Sequence, residues 1–112
     1  MEKKLKAGVL GAGHLGKIHL RLLFQSEKYD LVGFYDTQPQ IAAKISREFG
    51  YRSFSDINQL LQAVDVVDIV TPTLTHFDLA KKALQNGLHV FLEKPITATV
   101  EEANELVSLA KS

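Results

Sequence analysis

The sequence predicts an α/β domain built on a parallel sheet. Short apolar runs alternate with amphipathic stretches from one end to the other, the pattern of successive βαβ units. Strands in such units are buried on both faces, and these runs are apolar enough for that. The length of 112 residues, with 46% hydrophobic and 23% charged side chains, suits one globular domain over residues 1–112.

The elements follow in order. Leu5 to Leu10 reads as a first strand, and Leu15, Ile18 and Leu22 then mark a helical stripe widened by Leu23 and Phe24. Leu31 to Tyr35 is a second strand, ending at Asp36. Pro39 suits the first position of a helix carrying Ile41, Ile45 and Phe49, with Gly50 to end it. Tyr51 to Phe54 predicts a short third strand, and Ser55 a cap for a brief helix with Ile57, Leu60, Leu61 and Val64. Val66 to Val70 is a fourth strand, stopped by Thr71-Pro72. Thr75 is placed to cap the next helix, with Ala80, Ala83 and Leu84 inward and Gly87 beyond its end. Leu88 to Leu92 is a fifth strand; Thr99 and Glu102 then have capping-box spacing before Ala103, Leu106, Val107 and Ala110. The chain ends on this helix, where the architecture calls for a return to a sixth strand, so the sequence reads as part of something longer. The edge of the fifth strand is then unprotected, which predicts self-association there or through surface meant for another domain.

Thirteen basic and 13 acidic residues cancel, and a pI near 6.9 offers no electrostatic footprint for nucleic acid or an anionic membrane. The lack of cysteine excludes a disulfide scaffold, a thiolate nucleophile and a cysteine-ligated metal. No apolar run approaches a membrane span of about 18–20 residues, and early glycines spoil a signal peptide. A cytoplasmic location is expected. Asp65, Asp68, His76 and Asp78 lack metal-ligand spacing, and no metal is expected. His19 reads as helix packing, His89 as the start of a strand, and Met1 to Lys4 as a solvated terminus.

Gly11-Ala12-Gly13-His14-Leu15-Gly16 fits G-x-G-x-x-G between the first strand and first helix. Gly11 permits the tight turn, Gly13 lets the backbone approach a pyrophosphate, and Gly16 allows close helix–strand packing. The helix N-terminus offers free N–H groups and a positive dipole end to phosphates, and His14 lies within reach of them. Asp36, 20 residues after Gly16, ends the second strand, where a carboxylate accepts from both hydroxyls of an adenosine ribose. Thr37, Gln38 and Pro39 bring no cation for a 2′-phosphate, which favours NAD over NADP. The same strand–turn–helix also serves flavin and S-adenosylmethionine sites, and those readings stay open at this point. The motif in this context makes the fold a Rossmann-type doubly wound sheet, with five strands in this chain.

Val67-Asp68-Ile69-Val70-Thr71-Pro72-Thr73, then His76, then Gly87 to Leu92 followed by Glu93-Lys94-Pro95, closely resembles the glucose–fructose oxidoreductase and inositol dehydrogenase family (Gfo/Idh/MocA). The resemblance covers essentially the whole chain, as that family's N-terminal dinucleotide-binding domain. It implies that Thr71, Pro72 and Thr73 line the cofactor and that His76 lies near it, against the plainer reading of His76 as a helix-surface residue. It implies that Glu93 contacts the nicotinamide-side ribose and that Lys94, the one catalytic residue in this stretch, reaches the reacting hydroxyl or carbonyl. Relatives often show the Lys-Pro bond in cis. They continue into a C-terminal domain that binds a small-molecule substrate, absent from this sequence together with the sixth strand. The function implied is the cofactor half of an NAD-dependent oxidoreductase acting on a sugar, cyclitol or similar substrate; the alternative is a non-catalytic dinucleotide-sensing module of the same fold.

Overall fold

The computed structural model describes residues 4–111, so the expected solvated terminus lies outside the described residues except for Lys4, which is exposed. The described residues form nine elements, in order β1 (Leu5–Leu10), α1 (His14–Gln25), β2 (Tyr29–Tyr35), α2 (Pro39–Phe49), α3 (Ile57–Ala63), β3 (Val66–Ile69), α4 (Thr73–Gln85), β4 (His89–Leu92) and α5 (Val100–Lys111). The strands form one parallel sheet in the order β2-β1-β3-β4. The chain steps from β1 outward to β2, then restarts on the other side of β1 with β3 and steps outward to β4, so the winding reverses between β1 and β3.

Side-chain alternation along the strands feeds two cores, one on each face. Val9 and Phe34 pack with Ala12, Leu20 and Ile45 beneath α1 and α2. Leu10, Val67 and Ile69 pack on the other face with Leu60, Leu61, Ala80, Ala83 and Leu106 from α3, α4 and α5. No helix among the described residues is long and apolar enough to cross a membrane.

The sheet has four strands, not the expected five. Residues 51–54 run extended beside β2, but they share a single bridge between Phe34 and Ser53, with Phe34 N–H donating to Arg52 O at 2.9 Å and Phe54 N–H to Phe34 O at 2.8 Å. Only a few residues separate the left-handed Gly50 that ends α2 from α3, so the chain turns away once Phe54 is buried. The cap of α3 is Asp56, which accepts from Asn58 N–H at 2.9 Å, rather than Ser55. Helix α4 starts at Thr73, earlier than a Thr75 cap allows. Thr75 Oγ1 lies 2.6 Å from Pro72 O, inside the first turn.

The buried face of α1 is Gly16 and Leu20 with Leu23 partly covered, whereas Leu15 and Leu22 are about half exposed. Gly16 makes the closest approach to the β1 end, and whatever follows it at i+4 and i+7 must face the sheet. Thr99 does cap α5, its Oγ1 accepting from Glu102 N–H at 3.2 Å. Val107 is half exposed there, facing a groove of about 400 Å³ over β4 with Ala103, Leu106 and Ala110.

Asp56→Ala is expected to lower unfolding free energy by about 1 kcal/mol, the usual worth of a helix cap, while Ser55→Ala changes little. Urea denaturation of both variants checks this. Equal losses would return the cap to Ser55.

Candidate functional site

All four strands end on one rim, and the loops leaving β1 and β3 flank the point where the winding reverses. In doubly wound sheets this crevice is where ligands bind. The predicted residues arrive there from separate segments: the glycine turn after β1, Asp36 after β2, Thr71-Pro72 after β3, and Glu93-Lys94 after β4.

Gly11 has φ of 101° and presses against β3; a Cβ there would lie 2.7 Å from Val70 O and 3.1 Å from the Thr71 methyl. A Cβ on Gly16 would collide with the Gly11 carbonyl oxygen. Gly13 faces open space and forms the N-cap of α1 with no side-chain cap. The first amides of α1 therefore keep their hydrogens for an external acceptor, since the helical bonds begin with Lys17 N–H to Gly13 O at 2.9 Å. Asp36 is drawn onto this turn. Its Oδ2 accepts Ala12 N–H and its Oδ1 accepts Gln38 N–H, each at 2.8 Å. Each carboxylate oxygen has a second lone pair, so capacity for hydroxyl donors remains. His14 and Leu15 are exposed, and His14 borders a shallow groove with Lys17, Arg21 and Tyr51. The donor set fits a dinucleotide: uncapped amides for phosphates beside a carboxylate for a ribose.

The far side of the rim is less closely assembled. Thr71 is partly covered, and its hydroxyl lies 2.7 Å from Thr75 Oγ1; Pro72 is exposed and Thr73 half-buried. His76 is not a surface residue: it is 4% exposed, with Nε2 3.0 Å from Thr71 O and Nδ1 3.0 Å from Ile96 O. Glu93 and Lys94 leave β4 toward opposite faces. Glu93 borders a groove of about 380 Å³ on the α1 side with Phe91, His19 and Asp68; Lys94 borders one on the α5 side with Pro95, Ile96 and Val100. Both are exposed, they form no ion pair among the described residues, and the Lys94–Pro95 bond is cis. Among the described residues no three His, Asp or Glu are placed to hold a metal ion.

His19 does more than pack. Its Nδ1 lies 2.6 Å from Asp68 Oδ2 between α1 and β3, and Asp68 Oδ1 is buried without a partner. Burial pushes the Asp68 carboxyl above its ordinary 3.8; the hydrogen bond and charge of His19 pull it back, and the Glu93 charge pushes it up again. A lone charge inside Val66-Val67-Asp68-Ile69-Val70 was the available signal, because a carboxylate in a buried strand demands a partner.

A family model described as an oxidoreductase family with an NAD-binding Rossmann fold matches residues 5–112. The chain is 40% identical over 111 residues to UDP-N-acetylglucosamine 3-dehydrogenase of Acidithiobacillus ferrooxidans, covering 96% of this chain and 34% of that protein. The solved structure of that enzyme superposes with a TM-score of 0.91, over 98% of this chain and 36% of the other. The scyllo-inositol 2-dehydrogenase (NAD(+)) of Bacillus subtilis is 39% identical over 107 residues, 92% of this chain and 31% of that one. Biliverdin reductase of Synechocystis sp. PCC 6803, solved with biliverdin and NADP+, gives a TM-score of 0.89 at 28% identity, covering 96% and 34%. The chain thus spans about a third of the length of the curated relatives it matches.

The raised Asp68 carboxyl has a measurable consequence. It holds its proton more tightly folded than unfolded, so its contribution to stability is whole below about pH 3.8 and is lost as pH rises through the folded-state value. Asp68→Asn removes this dependence while keeping a polar partner for His19. Thermal melts across pH should show the variant gaining on wild type as pH rises from that point. A constant gap would contradict the shift.

Proposed function

Because the chain belongs to the Gfo/Idh/MocA oxidoreductase family, we propose that it is the cofactor-binding part of a cytoplasmic NAD-dependent dehydrogenase acting on a sugar, cyclitol or similar hydroxyl or carbonyl compound. The observation that carries the cofactor assignment is the Ala12 N–H to Asp36 bond of 2.8 Å, which brings a carboxylate to the uncapped start of α1. The amides of His14, Leu15 and Gly16 donate to the pyrophosphate, and the remaining lone pairs of Asp36 accept from the adenosine ribose. Thr71, Pro72 and Thr73 line the middle of the cofactor, and Glu93 binds the second ribose. Asp36 disfavours a 2′-phosphate by like charge, which makes NAD the preferred form over NADP. Relatives about three times as long support the substrate side: the two dehydrogenases named above act, by name, on a nucleotide sugar and a cyclitol.

NAD, when bound, supplies the hydride acceptor. Lys94 Nζ polarises the substrate oxygen and carries its proton, while the glycine turn and Asp36 hold the adenosine end in place. Positioning of substrate against cofactor is worth about 7–11 kcal/mol of barrier, and it needs a second wall facing the rim. The outer strand β4, with Phe91 half exposed, is also proposed as a route of self-association, which light scattering at high micromolar concentration tests.

Calorimetry should find that the isolated chain binds NAD and that Asp36→Ser with Thr37→Arg moves the NADP-to-NAD affinity ratio by about tenfold or more, since relieving a like-charge contact is worth several kcal/mol. The ratio is the correct readout, because Asp36 also holds Ala12 and Gln38 and its loss weakens both ligands alike. Equal wild-type affinity for NAD and NADP would remove the role given to Asp36. The chain alone should release no NADH from a panel of sugars and cyclitols; turnover that Lys94→Ala abolishes would mean the active site is complete within it.

A further inference from the structure

We infer that His76 is a positioning residue for Lys94: it tethers the segment 94–98 to the head of α4 by donating Nδ1–H to the Ile96 carbonyl. The inference rests on the role proposed above for Lys94. His76 is buried in the first turns of α4, and its two ring nitrogens face two backbone carbonyls, Ile96 O and Thr71 O, each at 3.0 Å. A carbonyl oxygen only accepts, so each contact is a hydrogen bond only where the facing nitrogen carries a proton.

The two sides differ in how much they need the ring. The Thr71 side is already secured. Thr75 N–H donates to Pro72 O at 2.9 Å, the Thr75 hydroxyl lies 2.7 Å from that of Thr71, and Val70 N–H donates to Leu10 O at 2.8 Å. The other side has little else. Lys94, Pro95, Ile96 and Ala98 are exposed, Pro95 has no N–H, and Thr97 Oγ1 bonds only forward to Thr99 O at 2.6 Å. Among the described residues, the His76 contact is the hydrogen bond that joins residues 94–98 to the sheet and its earlier helices. Lys94 is two residues from that tether, on a loop otherwise held at Leu92 and Val100. A lysine on a free loop samples many positions, whereas catalysis at one oxygen needs the stem fixed.

Two conservative variants separate tethering from space-filling. Asparagine places an amide N–H near the Nδ1 position and keeps the bond to Ile96; glutamine reaches nearer the Nε2 position and keeps the bond to Thr71. In 15N relaxation on the chain, wild type and His76→Asn should hold the Ile96 to Ala98 amides near order parameters of about 0.85, and His76→Gln should drop them below about 0.6. At saturating NAD, acylation of the Lys94 amine should be slowed in wild type and His76→Asn and restored in His76→Gln. The ring 15N spectrum of wild type should place a proton on Nδ1. Equal loop order in the two variants, or no proton on Nδ1, would overturn the tether, and the ring spectrum decides even if neither variant folds. If wild type fails to bind NAD, the cofactor reading falls, while the relaxation and ring spectra still judge the tether.

Discussion

The contact on which the site depends is the approach of α1 to the glycine turn. The space at Gly16 is filled by the Gly11 carbonyl, so any side chain there would push the helix off the sheet. With hydrogen at that position, the helix axis lies against the end of β1 and its first amides open onto the crevice beside β3. The same contact selects Leu20 and Leu23 as the inward residues and leaves Leu15 and Leu22 outside. A packing constraint at one atom thus decides both the core beneath α1 and the electrostatics of the rim.

Around that contact, polar groups are used to place loops rather than to hold the core together. Asp36 binds one amide of the glycine turn and one at the entry to α2. His19 and Asp68 couple α1 to β3 at the cost of a carboxylate oxygen left without a partner. His76 sits between the loops that follow β3 and β4. Each makes one long-range bond to an element far away in sequence: Asp36 to Ala12, His19 to Asp68 and His76 to Ile96. Buried polar groups of this kind are costly unless satisfied, so their position is an informative trace of what the fold has to hold still.

Much of this was legible in the residues. The β1–turn–α1 motif, the carboxylate after β2, the parallel arrangement and the left-handed ends at Gly50 and Gly87 are local properties: a glycine spacing, a run length, a helix stop. The Thr99 cap belongs with them, because a hydroxyl and an amide three residues apart need no other segment to meet.

What the tertiary structure alone decided are matters of pairing and of facing. Residues 51–54 have strand composition, but whether they form a strand depends on how long β2 can hold them before Asp56 starts a helix, and they make one bridge. His76 is polar and preceded by the exposed Leu74 and Thr75, so its burial became visible only when the loop after β4 closed over it. Glu93 and Lys94 are neighbours in sequence, yet they border different grooves, one beside α1 and the other beside α5. Sequence alone determined the fold class and the nucleotide motif, because backbone conformation and hydrophobic period act within a few residues. The partners of its buried polar groups came from the packing of distant segments, which no local period encodes.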